Sequence, residues 1–292
     1  MERELWNALY WLARRQDKPW GNWRYSHSDV LAVYFWAVVH DRPVVWAAIA
    51  AHWPADLRPA LFPPQSTLSR RLRTPEIVDL MVAVEQHLLA LQAIGCQWIC
   101  MIDAKPLAVS GVSKDPDVGY GRGAGGQQKG YKFYAVWRAG PMPVAWGLAP
   151  MNQSEKTMAR HLIPSLPGSG YLLGDTQYDV NGLYDLAAQT EYQLIAQKTP
   201  DRGQGGLGHR RQSPFRLRSM ELLRTSFGRA LYRQRNAMEC RFGTLTCFGG
   251  GRAPLPAWVR RFSRVRNWVH AKILVAGARW VLIHDPNKLA YA

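Results

Sequence analysis

Apolar positions fall at helical spacing through the first third of the chain and gather into short strand-like runs after it. Trp6, Leu9, Tyr10 and Ala13 lie three or four residues apart, the repeat of a helix that buries one stripe. Residues 30–40 are almost continuously apolar and predict a buried second helix, with Ser26 or Ser28 available as its cap. Pro43 can open a third helix through Val44, Ala47, Ala48 and Ala51. Pro63-Pro64 then interrupts the chain. Behind it comes the short polar and basic stretch Gln65-Ser66-Thr67-Leu68-Ser69-Arg70-Arg71, and a longer helix is predicted over 75–91. A short basic helix set among small helices is the arrangement of a helix-turn-helix unit. Gln65, Ser66, Ser69, Arg70 and Arg71 are therefore candidate DNA contacts, the alternative being a solvated basic helix.

From residue 97 the pattern changes. Strands are predicted over 97–102, 131–138 and 142–148, the last two joined by the turn Ala139-Gly140-Pro141. A helix over 154–163, a strand over 171–173, a helix over 181–189 and a strand over 192–197 follow. Helices are predicted over 228–242 and 265–282, the second amphipathic and expected to pack on the sheet. Three strands, helix, strand, helix, strand, then helices is the order of an α/β ribonuclease-H-like fold, a mixed sheet flanked by helices. The expected organisation is an all-α DNA-binding region over 1–94 and a catalytic domain over 95–292. The second would carry a basic insertion around 199–227 and end in a helix.

Composition narrows the function. Hydrophobic residues make up 47% of 292, enough for a full core. No run approaches the roughly 18 apolar residues of a membrane span, and Met1-Glu2-Arg3-Glu4-Leu5 is no signal segment. A cytoplasmic, nucleoid-associated protein with no membrane contact is expected. Cys96, Cys100, Cys240 and Cys247 lack tight paired spacing and read as reduced core residues, not zinc ligands. Lys and Arg number 37 against 21 Asp and Glu. The excess is concentrated: residues 203–272 hold 15 cations and two acids, Glu221 and Glu239. That distribution suits a polyanion. The stretch 119–132 interleaves glycines with Arg122, Lys129 and Lys132, a composition that lets backbone and charge approach phosphate. It does not match GxxxxGK[ST], and the alternative is a flexible hairpin loop. Most of the 13 Trp suit core packing, though Trp146 is placed to stack on an unpaired base.

Asp103 closes the apolar run Trp98 to Ile102, and Asp175 closes Tyr171-Leu172-Leu173-Gly174. Ends of neighbouring strands are where ligands collect in open sheets, and two carboxylates there repel unless a cation intervenes. Glu239 stands on an arginine-rich helix, with Arg235 four and Tyr232 seven residues before it on one face.

Asp103, the block Gly174-Asp175-Thr176-Gln177-Tyr178-Asp179 and Tyr232-x2-Arg235-x3-Glu239 resemble the DDE transposases of bacterial insertion sequences. The nearest pattern is the branch with a Tyr-Arg-Glu-Lys signature. The resemblance spans roughly residues 98–285, and it departs at Thr246, where that branch carries its Lys. It implies that Asp103, Asp175 and Glu239 hold two Mg²⁺ ions, with Mn²⁺ as a substitute. Asp179 would be a neighbour, not a ligand. It also implies cleavage at terminal inverted repeats of double-stranded DNA and joining to target DNA by a homodimer assembled on the ends. Tyr232, Arg233, Arg235 and Arg241 would then grip the strand entering the site. Two rivals share these residues: a nuclease of the same fold without strand transfer, and an inactive transposase-derived DNA-binding protein.

Overall fold

The computed structural model describes residues 1–18, 24–92, 98–123, 125–198, 211–246 and 255–285, apart from the side chains of 237–239, 244 and 246. The chain divides into two compact units. One comprises residues 1–93, 113–117 and 243–292, and the other 94–112 and 118–242.

The first unit is helical. It contains α1 (Glu2–Gln16), α2 (His27–Val39), α3 (Val44–Ala47), α4 (Gln65–Arg71) and α5 (Pro75–Leu91). Ser26 caps α2 in a reciprocal capping box with Asp29, which satisfies two helix-end donors at once. The third helix is shorter than its apolar pattern suggests: it ends at Ala47, and a 3₁₀ turn, Ala50–His52, carries the chain on. Trp6, Trp36 and Trp53 pack as mutual neighbours, and each indole N–H reaches a backbone carbonyl. They are core residues.

The second unit is a mixed six-stranded sheet. Its strands are β1 (Ile99–Ala108), β2 (Gly119–Gly123), β3 (Gly126–Trp137), β4 (Pro143–Pro150), β5 (Gly170–Gly174) and β6 (Tyr192–Ala196). The order is β2-β3-β1-β5-β6, with β4 also on β3. The pairs β1–β3, β2–β3 and β3–β4 are antiparallel, whereas β1–β5 and β5–β6 are parallel. This is consistent with a ribonuclease-H-like domain. Helices α6 (Glu155–Leu162) and α7 (Asn181–Gln189) cover one face, burying Cys100, Ile102, Tyr134, Val136, Leu172 and Leu194 beneath Ala159, Leu162, Leu183 and Ala187.

Several expectations are corrected. The first strand runs on to Ala108, so Asp103 lies within it and not at its end. Residues 119–123 and 126–130 are not a loop but paired strands. Within the expected basic insertion stands a further helix, α8 (Pro214–Arg224), started by Ser213, whose hydroxyl accepts from Arg216 N–H; residues 199–210 of that insertion lie outside the described ones. The helix expected over 228–242 is two, α9 (Ser226–Arg233) and α10 (Ala237–Thr246), parted by a 3₁₀ turn at Gln234–Asn236. Tyr232 at the end of α9 donates to Gly174 O at 3.1 Å, and Phe242 on α10 packs edge-on against Trp137 at 4.6 Å.

The last helix, α11 (Phe262–His284), packs with α1, α2 and α5, where its amphipathic reading had expected the sheet. It is buried nearly all round, as an inner helix of a bundle must be. Its inward polar groups are matched: Asn267 donates to Leu72 O, His270 meets Glu85 and Lys272 meets Asp41. Among the described residues no helix is long and apolar enough to cross a membrane.

Candidate metal centre

The β1–β5 register pairs Ile99 with Tyr171 and Met101 with Leu173. Carried two residues further, it sets Asp103 beside Asp175. Strand β5 stops there while β1 continues against β3, so Asp103 marks the end of the parallel pairing. The apolar run stops at Ile102, but the strand does not stop with it.

Asp175 caps the 3₁₀ turn Thr176–Tyr178, accepting from Gln177 N–H at 2.8 Å through one oxygen. A third acid joins the pair. Glu155 is the first residue of α6, behind the capping Ser154, and one oxygen from each of Asp103, Glu155 and Asp175 lies within 4.8 Å of the others. The sequence reading had missed Glu155. Its signal was present but ambiguous, because an acid following a capping serine is also the ordinary chemistry of a helix start.

Among the described residues two cations serve these three acids. Lys132 Nζ lies 3.3 Å from Glu155 Oε1, and an Arg235 terminal nitrogen lies 3.4 Å from Asp103 Oδ2. The second contact is long for a charged hydrogen bond, and Arg235 Nε is buried with no hydrogen-bond partner among the described residues. Burial, with Asp175 and Glu155 adding repulsion, pushes the Asp103 carboxyl up to about 6, against the opposing pull of Ala104 N–H and Arg235. Burial also raises Glu155, which Lys132 partly counters. The fully buried Tyr178 hydroxyl is raised by desolvation and by the same three acids.

Asp179 has a separate role. It is buried and takes two hydrogen bonds from Arg216, at 2.7 and 2.6 Å, plus one from Tyr184 at 3.2 Å. That bidentate pair ties α8 to the turn carrying Asp175.

Glu239 belongs to α10, but its side chain lies outside the described ones, as do Thr246's side chain, Cys96 and Cys247. Arg233 is exposed and Arg241 donates to Gly140 O at 3.0 Å. Arg122 is exposed and Lys129 lies 5.9 Å over the Tyr120 ring, while Lys132 is drawn into the acid site. On α4, Gln65, Ser66 and Arg70 are exposed and Ser69 is half-buried, accepting from Arg264 at 3.3 Å. Arg71 is 5% exposed and donates to Tyr25 O, which makes it part of that unit's interior. Trp146 packs beside Phe133 on the sheet.

Three hard carboxylate donors, short of positive charge, fit a divalent cation such as Mg²⁺ or Mn²⁺ and do not fit a soft metal. The family model described as the transposase DDE domain matches residues 94–276, more than half of the chain. No curated protein and no solved structure gives a match.

Proposed function

The chain belongs to the transposase DDE domain family, and from that premise we propose that it cuts double-stranded DNA at the ends of a mobile element and joins the freed 3′ ends to target DNA. The observation that carries this reading is the convergence of Asp103, Glu155 and Asp175 within 4.8 Å under incomplete neutralisation. Asp103 and Asp175 would hold divalent metal together with Glu239, and Glu155 would be a ligand or the partner that Lys132 orients. Helical spacing puts positions 239 and 242 on one side of α10. Phe242 packs on Phe133 and Trp137, which flank Ala135, the β3 partner of Asp103. That supports Glu239 as the third acid.

When bound, a pair of such ions supplies an activated oxygen nucleophile and a stabilised leaving oxygen for phosphodiester exchange. The chain's own groups have simpler tasks. Above pH 6 Asp103 is mostly ionised and acts only as an acceptor. Arg235 offsets part of its charge and, being partly exposed, would be available to a phosphate oxygen. Tyr232 fixes the end of α9 against Gly174, the residue before Asp175. None of these groups need form a covalent bond to DNA. Exposed Gln65, Ser66 and Arg70 on α4 would recognise the terminal repeats. A homodimer would pair two ends, and a cytoplasmic, nucleoid-associated location would follow from the substrate.

The test is incubation with the DNA flanking its own gene and Mg²⁺, mapping the ends cut and the joints formed. Cuts with joints support transposition. Cuts without joints indicate a nuclease, and binding without cuts an inactive descendant.

A further inference from the structure

The β2–β3 ribbon is one-sided. Antiparallel pairing sets Tyr120 opposite Lys129 and Arg122 opposite Gln127 on one face, and Gly119, Gly121 and Gly123 on the other. The glycines are required by close approach. A Cβ at Gly119 would stand 2.2 Å from the Asn152 side chain, and one at Gly121 would stand 2.5 Å from Met151 O. One at Gly130 would stand 2.3 Å from Leu107 O. The glycine face is thus pressed onto the segment after β4, three residues before Glu155. Every side chain of β2 is on the opposite face, where Tyr120 is 59% exposed and Arg122 and Gln127 are exposed too.

We propose that this outward face, Tyr120, Arg122, Gln127 and Lys129, reads base edges in a groove of duplex DNA close to the bond cut at the acid cluster. The inference rests on the transposase reading above and adds a determinant of sequence choice to it. Two observations favour base reading over a phosphate track. The face pairs a guanidinium with a neutral amide, and these are the side chains that match guanine and adenine edges with two hydrogen bonds each. A phosphate contact would use only the amide's N–H₂ and leave its carbonyl oxygen without a donor, whereas an adenine edge uses both. The shape also fits: five residues per strand give roughly 16 Å of ribbon, and a major groove about 12 Å wide admits two strands. The charge is complementary, with Arg122 and Lys129 and no acid on the face.

The experiment is selection by the full chain from a pool of duplexes with a randomised core, in Ca²⁺, comparing wild type with Gln127→Ala and Arg122→Ala. Both positions are exposed, so folding is not at issue. The expected result is that each variant loses preference at one base pair, by roughly 5- to 150-fold. The salt dependence of Gln127→Ala should match that of wild type, because it removes no charge. An unchanged motif in both variants overturns the inference. So does a uniform loss of affinity in Arg122→Ala with the motif intact, which marks a phosphate contact. A changed molecular mass with an unchanged motif overturns it too, by making the face a self-association surface. A wild-type chain that binds no duplex removes the transposase reading along with it, an outcome distinct from the other three.

Discussion

In the helical unit the half-buried Asp41 has a cation of its own, Lys272 at 2.5 Å, and the buried Glu85 meets the His270 ring at 2.7 Å. In the sheet unit Asp179 is matched in the same way by Arg216. Asp103, Glu155 and Asp175 differ. Three acids share Lys132 and Arg235 at 3.3 and 3.4 Å among the described residues, and burial, with repulsion from Asp175 and Glu155, pushes Asp103 up to about 6. Burial is comparable in the two regions; neutralisation is not. Acids that hold a fold together are met by a cation or by hydrogen-bond donors, because an unpaired buried charge costs several kcal/mol. A group of acids left short of positive charge is poorly explained as structure and well explained as a cation site.

The sharpest way to break that contrast is activity. Asp103→Asn, Asp175→Asn and Glu239→Gln should each lower end cleavage by roughly 10³-fold or more, as expected when several kcal/mol of transition-state stabilisation is lost. Affinity for duplex should remain within about twofold, because none of the three contacts phosphate directly in this reading. Single-turnover cleavage and a gel-shift titration on the same DNA measure the two quantities. Full cleavage by any variant removes that residue from the site.

Stability should respond with opposite signs in the two regions. Asp41→Asn leaves the Lys272 ammonium buried beside a neutral amide and should destabilise the fold by about 3 kcal/mol or more. Urea denaturation of the metal-free protein reads this directly. A cost under about 1 kcal/mol would show that the pair is no more than surface charge.

The metal-free protein should instead gain from Asp103→Asn. The folded-state pKa of Asp103 lies near 6, above its ordinary 3.8. A raised acid contributes stability that is complete below about pH 4 and is lost as pH rises through 6. At pH 7 the wild type therefore carries a penalty of up to about 3 kcal/mol that the variant lacks. Denaturation midpoints at pH 4 and pH 7, in chelator, should converge at the lower pH and diverge at the higher. Added Mg²⁺ should raise the wild type more than the variant. Parallel curves would mean that the acid cluster is not strained.

Much of this was written in the sequence. Asp103 and Asp175 stood out because apolar runs end at them, and the order of elements indicated a mixed sheet. Glu155 did not, because one acid behind a capping serine has a local explanation, and its meeting with Asp103 depends on how β4 delivers the chain to α6. The ribbon was hidden by its own glycines: Gly119, Gly121 and Gly123 alternate with period two, yet glycine is a poor strand former, so the composition read as a loop. The fate of α11 was illegible for another reason. Asn267, His270 and Lys272 look like surface positions until Leu72 O, Glu85 and Asp41 are seen to receive them.

The smallest expected effects lie with arginines that no acid claims. Arg233 is exposed at the end of α9, and Arg261, Arg264 and Arg266 are exposed at the start of α11 and just before it. Arg264 gives one N–H to Ser69 Oγ but stays exposed, whereas Arg260 is half-buried and donates to Pro256 O and Val259 O. If the exposed four lie along DNA, each releases counterions on binding, and each replacement by Ala should flatten log affinity against log salt by roughly 0.9. Arg260→Ala should change the slope less. Sequence preference should stay fixed in all of them, because phosphate contacts carry no base information. In this they contrast with Gln127→Ala, which should alter preference and leave the slope alone. Salt titrations on one duplex, run for each variant, separate the two behaviours. A slope unchanged by the exposed arginines would mean that their charge is solvated surface, and would leave the ribbon and Arg235 as the remaining candidate DNA contacts of the sheet unit.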